Sequence, residues 1–152
     1  MTKVGVISDT HGLIRPEALQ ALRGSDLILH AGDIGSADVL EALREIAPVT
    51  AIRGNNDTDA WARRIPEVVD VRIEDTNVHM LHSVKDLDPV AAAAAHVIIA
   101  GHSHRPSIER REQVLYLNPG SAGPRRFKLP VSLAILSISA ARVRARIVEL
   151  KV

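Results

Sequence analysis

Short β-branched runs alternate with helix-like segments over the first half of the chain. Val4 to Ser8, Leu27 to His30 and Val49 to Ile52 are apolar runs of strand length. Between them, Pro16 to Leu22 carries Leu19 and Leu22 at helical spacing and stops at Gly24, while Val39, Leu40, Leu43 and Ile46 follow Ser36 and repeat every three or four residues until Pro48. This order predicts parallel strands covered by helices.

The second half is richer in strands. Val68 to Ile73 and Val78 to Leu81 flank Glu74-Asp75-Thr76-Asn77 and read as a hairpin, which brings antiparallel partners into the sheet. Leu87 to Ala95 predicts a short Ala-rich helix and Val97 to Ala100 a buried strand. Val114 to Leu117, Val131 to Ser137 and Val143 to Leu150 complete a β-rich C-terminal part. No repeat or linker interrupts the pattern. The expected fold is α/β, a sandwich of two packed, mixed β-sheets flanked by α-helices, formed by a single domain over residues 1–152.

Composition narrows the chemistry. The absence of Cys excludes disulfides, thiolate metal sites, iron–sulfur clusters and a cysteine nucleophile, so any metal must be held by oxygen and nitrogen. Nineteen Lys plus Arg against eighteen Asp plus Glu leave a formal charge of +1, so bulk electrostatics points neither to nucleic acid nor to a membrane surface. The N-terminal apolar stretch is broken at Gly5, and the longest apolar run is interrupted by His96. No export signal or membrane span is expected, and a cytoplasmic location is.

The residues that follow each strand carry the chemistry, because ligands of such sheets collect beyond the carboxyl ends of the strands. Asp9-Thr10-His11 follows the first, Gly32-Asp33 the second and Gly54-Asn55-Asn56-Asp57 the third. His82 follows the hairpin, and Gly101-His102-Ser103-His104 follows the buried run. In extended backbone, Asp9 and His11, like His102 and His104, would project to one side. Glycines 32, 54 and 101 suit sharp turns or close backbone approach. Two carboxylates (Asp9, Asp33), one amide (Asn55) and four imidazoles (His11, His82, His102, His104) exceed the needs of one ion and suit two ions sharing a bridge.

In this order, the motifs resemble those of the calcineurin-like metallophosphoesterases, and within them the small YfcE-type phosphodiesterases, from Asp9 to about Ser121. The resemblance implies that Asp9, His11, Asp33 and His104 hold one metal. It implies that Asp33, Asn55, His82 and His102 hold the second, with Asp33 bridging. Asn118-Pro119-Gly120-Ser121 matches a family loop that lies near the metals. Manganese is the metal the resemblance favours, while the donor set also suits iron, zinc, nickel or cobalt. A homodimer is expected by the same analogy.

Two divalent ions lower the pKa of a shared water and bind the phosphoryl oxygens, so direct hydroxide attack on a small phosphoester, such as a nucleotide, is the expected reaction. Asp33, Asn55, Asn56, Asp57 and His82 form the expected catalytic set. Asn56 stands where many relatives have His and YfcE-like members often have Cys. An amide cannot act as a general acid, so diesters and aryl esters are expected to be better substrates than alkyl monoesters. Asp57 is expected to orient a ligand imidazole, with His30 in a similar role beside Asp33. His79 and His96 read as structural. Arg15, Arg105, Arg125, Arg126 and Lys128 are candidates for contact with an anionic substrate, and Trp61, Arg63 and Arg64 for a lid or dimer contact. The competing expectation is a binding scaffold on the same fold, as in the retromer subunit that resembles these enzymes. A nucleotide-binding module is weaker, since no Gly-rich phosphate loop is present.

Overall fold

A computed structural model describes residues 1–152. Its strands are β1 (Thr2–Ile7), β2 (Leu27–His30), β3 (Val49–Ala51), β4 (Val68–Ile73), β5 (Thr76–Leu81), β6 (Val97–Ile99), β7 (Ser107–Arg111), β8 (Val114–Asn118), β9 (Ser132–Ser139) and β10 (Arg142–Glu149). The helices are α1 (Pro16–Leu22), α2 (Ala37–Arg44) and α3 (Pro89–Ala94), with single 3-10 turns at Ala60–Ala62 and Val84–Asp86. Two five-stranded sheets form, in the orders β10-β9-β1-β2-β3 and β4-β5-β6-β8-β7. Each is mixed: β1, β2 and β3 run parallel, as do β5, β6 and β8, while β9 and β10 extend one side of the first sheet by antiparallel pairing and β4 and β7 pair antiparallel at the two edges of the second. The expected two-sheet α/β sandwich is therefore the fold observed.

Period-2 alternation sorts each strand between two cores. Val4 and Val6 of β1 face the second sheet and pack with Val78, Met80, Val97, Ile99, Leu115 and Leu117. Ile7 faces the other way, into a second core made with Leu22 of α1 and Val39, Leu40 and Leu43 of α2. Each such fully buried side chain contributes about 1.5–3 kcal/mol. These apolar layers thus supply the stability against which the polar loops at the strand ends are held.

Several boundaries differ from the expected ones. The hairpin turn is only Glu74-Asp75, because Thr76 already pairs with Ile73 and Glu74 takes the left-handed conformation at φ 52°. The third helix begins at Pro89, where Asp88 caps it by accepting the Val90 N–H at 3.1 Å. β7 was not expected. All five of its residues are exposed, so it carries no apolar period, and it exists because its backbone pairs with β8 from Ser107↔Asn118 to Arg111↔Val114. Trp61 packs against the helix-side core rather than standing free as a lid. No helix is long and apolar enough to cross a membrane.

Candidate metal centre

The carboxyl ends of β1, β2 and β3 meet those of β5 and β6 along one rim of the sandwich, and backbone hydrogen bonds lace the loops together there. Asp9 N–H donates to the Gly32 carbonyl at 3.0 Å, His11 N–H to the Asp33 carbonyl at 3.0 Å and Gly101 N–H to the His82 carbonyl at 2.9 Å. The loops are not extended as expected. Asp9 (φ 55°), His11 (47°), Asp33 (53°), His102 (70°) and His104 (63°) all lie in the left-handed region. Each such conformation costs a non-glycine residue about 1 kcal/mol or more, and strain of this kind collects at functional sites. It is what turns these side chains inward, in place of the period-2 projection that straight strands would have provided.

Two glycines let the loops close. A Cβ on Gly54 would collide with the backbone N and the Oδ1 of Asp33, and one on Gly101 would collide with Ser8 Oγ and lie 2.6 Å from Asp9 Oδ2. Both glycines are required by close approach to a carboxylate, as their sequence positions suggested.

The two carboxylates are held differently. Asp9 Oδ2 accepts from Ser8 Oγ at 2.7 Å and from the His102 N–H at 3.1 Å, while its Oδ1 is buried with no hydrogen-bond partner. That free oxygen lies 3.3 Å from His104 Nε2 and 3.8 Å from the Nε2 atoms of both His11 and His82. Asp33 accepts the Asn56 N–H on Oδ1 at 3.0 Å and the Asn56 side-chain N–H on Oδ2 at 3.1 Å. Its Oδ2 also faces His82 Nε2 at 3.2 Å and His11 Nε2 at 3.8 Å. Burial raises the Asp33 pKa, but the contact with His82 and the Asn56 N–H outweigh it and lower the pKa to about 2.

The tautomer of His82 follows from its neighbours. Its Nδ1 lies 2.8 Å from the Ala31 carbonyl, which can only accept, so Nδ1 carries the proton and neutral His82 presents a lone pair at Nε2. Lone pairs on His82 Nε2, Asp33 Oδ2 and Asp9 Oδ1 therefore face one another, and only a proton or a cation between them relieves the repulsion. His11 Nε2 and His82 Nε2 are both buried without a hydrogen-bond partner. Burial lowers the His82 pKa, yet Asp33, the Ala31 carbonyl and Asp9 together raise it above its ordinary value. These orphaned donors fit a hard or borderline divalent cation.

Six of the seven expected ligands gather in two groups whose donor atoms lie within 4.8 Å of one another: Asp9, His11 and His104, and Asp33, His82 and His102. The imidazoles pair in the same way, with ring centroids 5.4 Å apart for His11 and His104 and 5.1 Å for His82 and His102. Asn55 lies on the wall of a cleft of about 430 Å³ that is also lined by His82 and His102.

Other residues depart from expectation. Asp57 touches no imidazole; its carboxylate accepts backbone N–H groups from Ile34 (3.0 Å), Gly35 (3.0 Å) and Gly54 (2.9 Å), tying the loop after β2 to the loop after β3. The partner that orients His82 is a main-chain carbonyl, which side-chain identity cannot reveal. His30 is fully buried. Its Nδ1 accepts the Gly32 N–H at 3.1 Å, so its Nε2–H donates to Thr10 Oγ1 at 3.0 Å, joining the first two ligand loops. Burial lowers its pKa from 6.5 to about 4. His79 bonds Asp70 at 2.8 Å and His96 accepts the Asn77 N–H at 2.8 Å, both structural as expected. Arg15 donates to the Gly123 carbonyl at 3.2 Å. Asn118 donates to the Gly101 carbonyl at 3.1 Å and to Ser103 Oγ at 3.0 Å, and Ser121 Oγ donates to the Asp9 carbonyl at 2.9 Å, so the late loop braces the ligand loops. Ser8 was missed, its only signal being adjacency to Asp9.

Carboxylates and imidazoles gathered in this way can hold divalent cations, and comparison with known proteins gives the family of the chain. A family model described as the calcineurin-like phosphoesterase superfamily domain matches residues 2–141. The chain is 36% identical over 159 residues to a protein of Methanothermobacter thermautotrophicus named as a probable metallophosphoesterase, covering 96% of this chain and 91% of that one. Among solved structures, an archaeal phosphodiesterase superposes with a TM-score of 0.81 at 23% identity, over 97% of this chain and 100% of that one. Vps29 of Chaetomium thermophilum superposes with a TM-score of 0.78 at 18% identity, over 99% and 97%. The chain belongs to the calcineurin-like phosphoesterase superfamily.

Proposed function

We propose that residues 1–152 act as one metal-dependent phosphodiesterase domain with a binuclear centre. The observation that carries this reading is the convergence of the Nε2 atoms of His11, His82 and His104 on Asp9 Oδ1 and Asp33 Oδ2, each nitrogen lying 3.2–3.8 Å from a carboxylate oxygen. Asp9, His11, Asp33 and His104 would hold one ion, and Asp33, Asn55, His82 and His102 the other, with Asp33 shared. When bound, two such ions would supply a hydroxide near neutral pH and neutralise charge on the phosphoryl oxygens; the family resemblance favours manganese, while the thiolate-free donor set also suits iron, zinc, nickel or cobalt.

The chain's own residues position this centre. Asn56 fixes both oxygens of Asp33, Asp57 fixes the loops that carry Asp33 and Asn55, and Ser8 fixes Asp9. Since Asn56 has no proton to release to a leaving group, substrates with good leaving groups or a single phosphate charge suit the site best.

The test is hydrolysis of bis(p-nitrophenyl) phosphate with manganese, beside the Asp33→Asn variant. We expect turnover in the wild type and a loss of about 10³-fold in the variant, the scale of several kcal/mol of metal stabilisation. The alternative, a binding scaffold on this fold, predicts neither turnover nor any effect of the substitution.

A further inference from the structure

Arg125 and Arg126 enter the site from a loop that supplies none of the expected ligands. A groove of about 230 Å³ is lined by His11, His104, Pro124, Arg125 and Arg126. Two other clefts border the ligand set, and both contain carboxylates, Glu67 and Asp86 in one and Glu109 in the other. No carboxylate or apolar side chain other than Pro124 lines the arginine groove. Arg125 and Arg126, like most arginines of this chain, form no ion pair; what sets them apart is that they share a groove with His11 and His104.

The position of this loop is built rather than incidental. Its base is pinned where Ser121 bridges Val131, and Ala122 N–H donates to the Ser8 carbonyl at 3.1 Å. Gly123 is packed against the Asp9 and Thr10 carbonyls so tightly that a Cβ would collide with them, and Arg15 holds its carbonyl. Beyond Pro124, Leu129 N–H returns to the Arg126 carbonyl at 3.1 Å, and Phe127 turns the tip at φ 52°. The loop backbone therefore carries Arg125 and Arg126 to the wall of the groove that His11 and His104 line.

We infer that this groove is a second anion subsite, and that the substrate is a phosphodiester with a further phosphate on one of its arms. The inference rests on the scissile phosphate occupying the proposed metal centre. Two unneutralised guanidinium groups present fork-shaped donors to phosphate oxygens, the pairing in which arginine surpasses lysine. Arg126 also lines the neighbouring groove beside His102 and Asn118, so the organic part between the two phosphates can pass along that wall.

The probes are adenosine 3′,5′-bisphosphate, AMP and pyrophosphate, titrated by calorimetry into the manganese-loaded protein and into an Arg125→Gln/Arg126→Gln double variant. We expect the wild type to bind the bisphosphate about tenfold more tightly than AMP, and the double variant to lose that preference. Pyrophosphate has no organic spacer to reach from the metal centre to the groove, so the wild type and the double variant should bind it alike; a preference for it as large as that for the bisphosphate overturns a separate subsite. The affinity difference should also shrink with added salt. Equal binding of bisphosphate and AMP by the wild type, or a preference that survives in the double variant, overturns the inference. Single Arg125→Lys and Arg126→Lys variants, which keep the charge but not the fork, should give intermediate preferences. Calorimetry needs no turnover, so absence of hydrolysis of bis(p-nitrophenyl) phosphate would overturn the catalytic reading separately.

Discussion

Asn56 grips Asp33 with two donors, its main-chain N–H on Oδ1 at 3.0 Å and its side-chain N–H on Oδ2 at 3.1 Å. Asn56 thus serves as a clamp on Asp33, the carboxylate proposed to be shared by the two ions. Asn56→His exchanges the side-chain bond for an acid. We expect the ratio of alkyl monoester to aryl diester turnover to rise about tenfold or more, while total metal affinity falls. Steady-state rates on both substrate classes check this; a wild type that already cleaves alkyl monoesters as well as aryl diesters contradicts it.

Metal uptake should depend on pH through His82. Its pKa in the metal-free protein is raised, so falling pH favours a proton on the Nε2 proposed to bind metal. Metal binding then releases that proton, and affinity weakens by up to about tenfold per pH unit below the raised pKa. Above it, His82 contributes no further dependence. Manganese titrations at pH 6 and pH 8, in buffers of different ionisation enthalpy, read both the affinity and the proton count. A pH-independent affinity without proton release would refute the assignment of His82.

Asp57 predicts a stability effect separable from chemistry. Its carboxylate is the acceptor for three backbone N–H groups and is only 4% exposed. Asp57→Ala leaves those donors without a partner in the protein and should cost about 3 kcal/mol or more, with Asp57→Asn costing less. Urea unfolding of the metal-free protein measures this directly. A loss under about 1 kcal/mol would mean that water replaces the carboxylate readily.

Much of this architecture was legible before any coordinates, and the failures share a cause. Val4, Val6, Val39, Leu43, Val97 and Ile99 announced their elements because burial imposes a period on side chains. β7 escaped because its side chains are solvated and only its main chain is recruited, by β8. The role of Asp57 was misjudged for a similar reason, since its partners are main-chain N–H groups that every residue possesses. The orienting contact of His82 is a carbonyl of Ala31, equally silent in the sequence.

Residue order alone is enough to read the fold class, the strand ends that carry candidate ligands and a donor set compatible with two divalent ions, because apolar period and side-chain chemistry are local properties. How the donors meet is fixed by the folded chain. Left-handed backbone at Asp9, His11, Asp33, His102 and His104 turns them inward, and two sheets bring together residues as distant in the chain as Asp9 and His104. Such conformations are unfavourable for an isolated chain, so no local preference encodes them; hydrogen bonds between loops and the packing of the two sheets impose them.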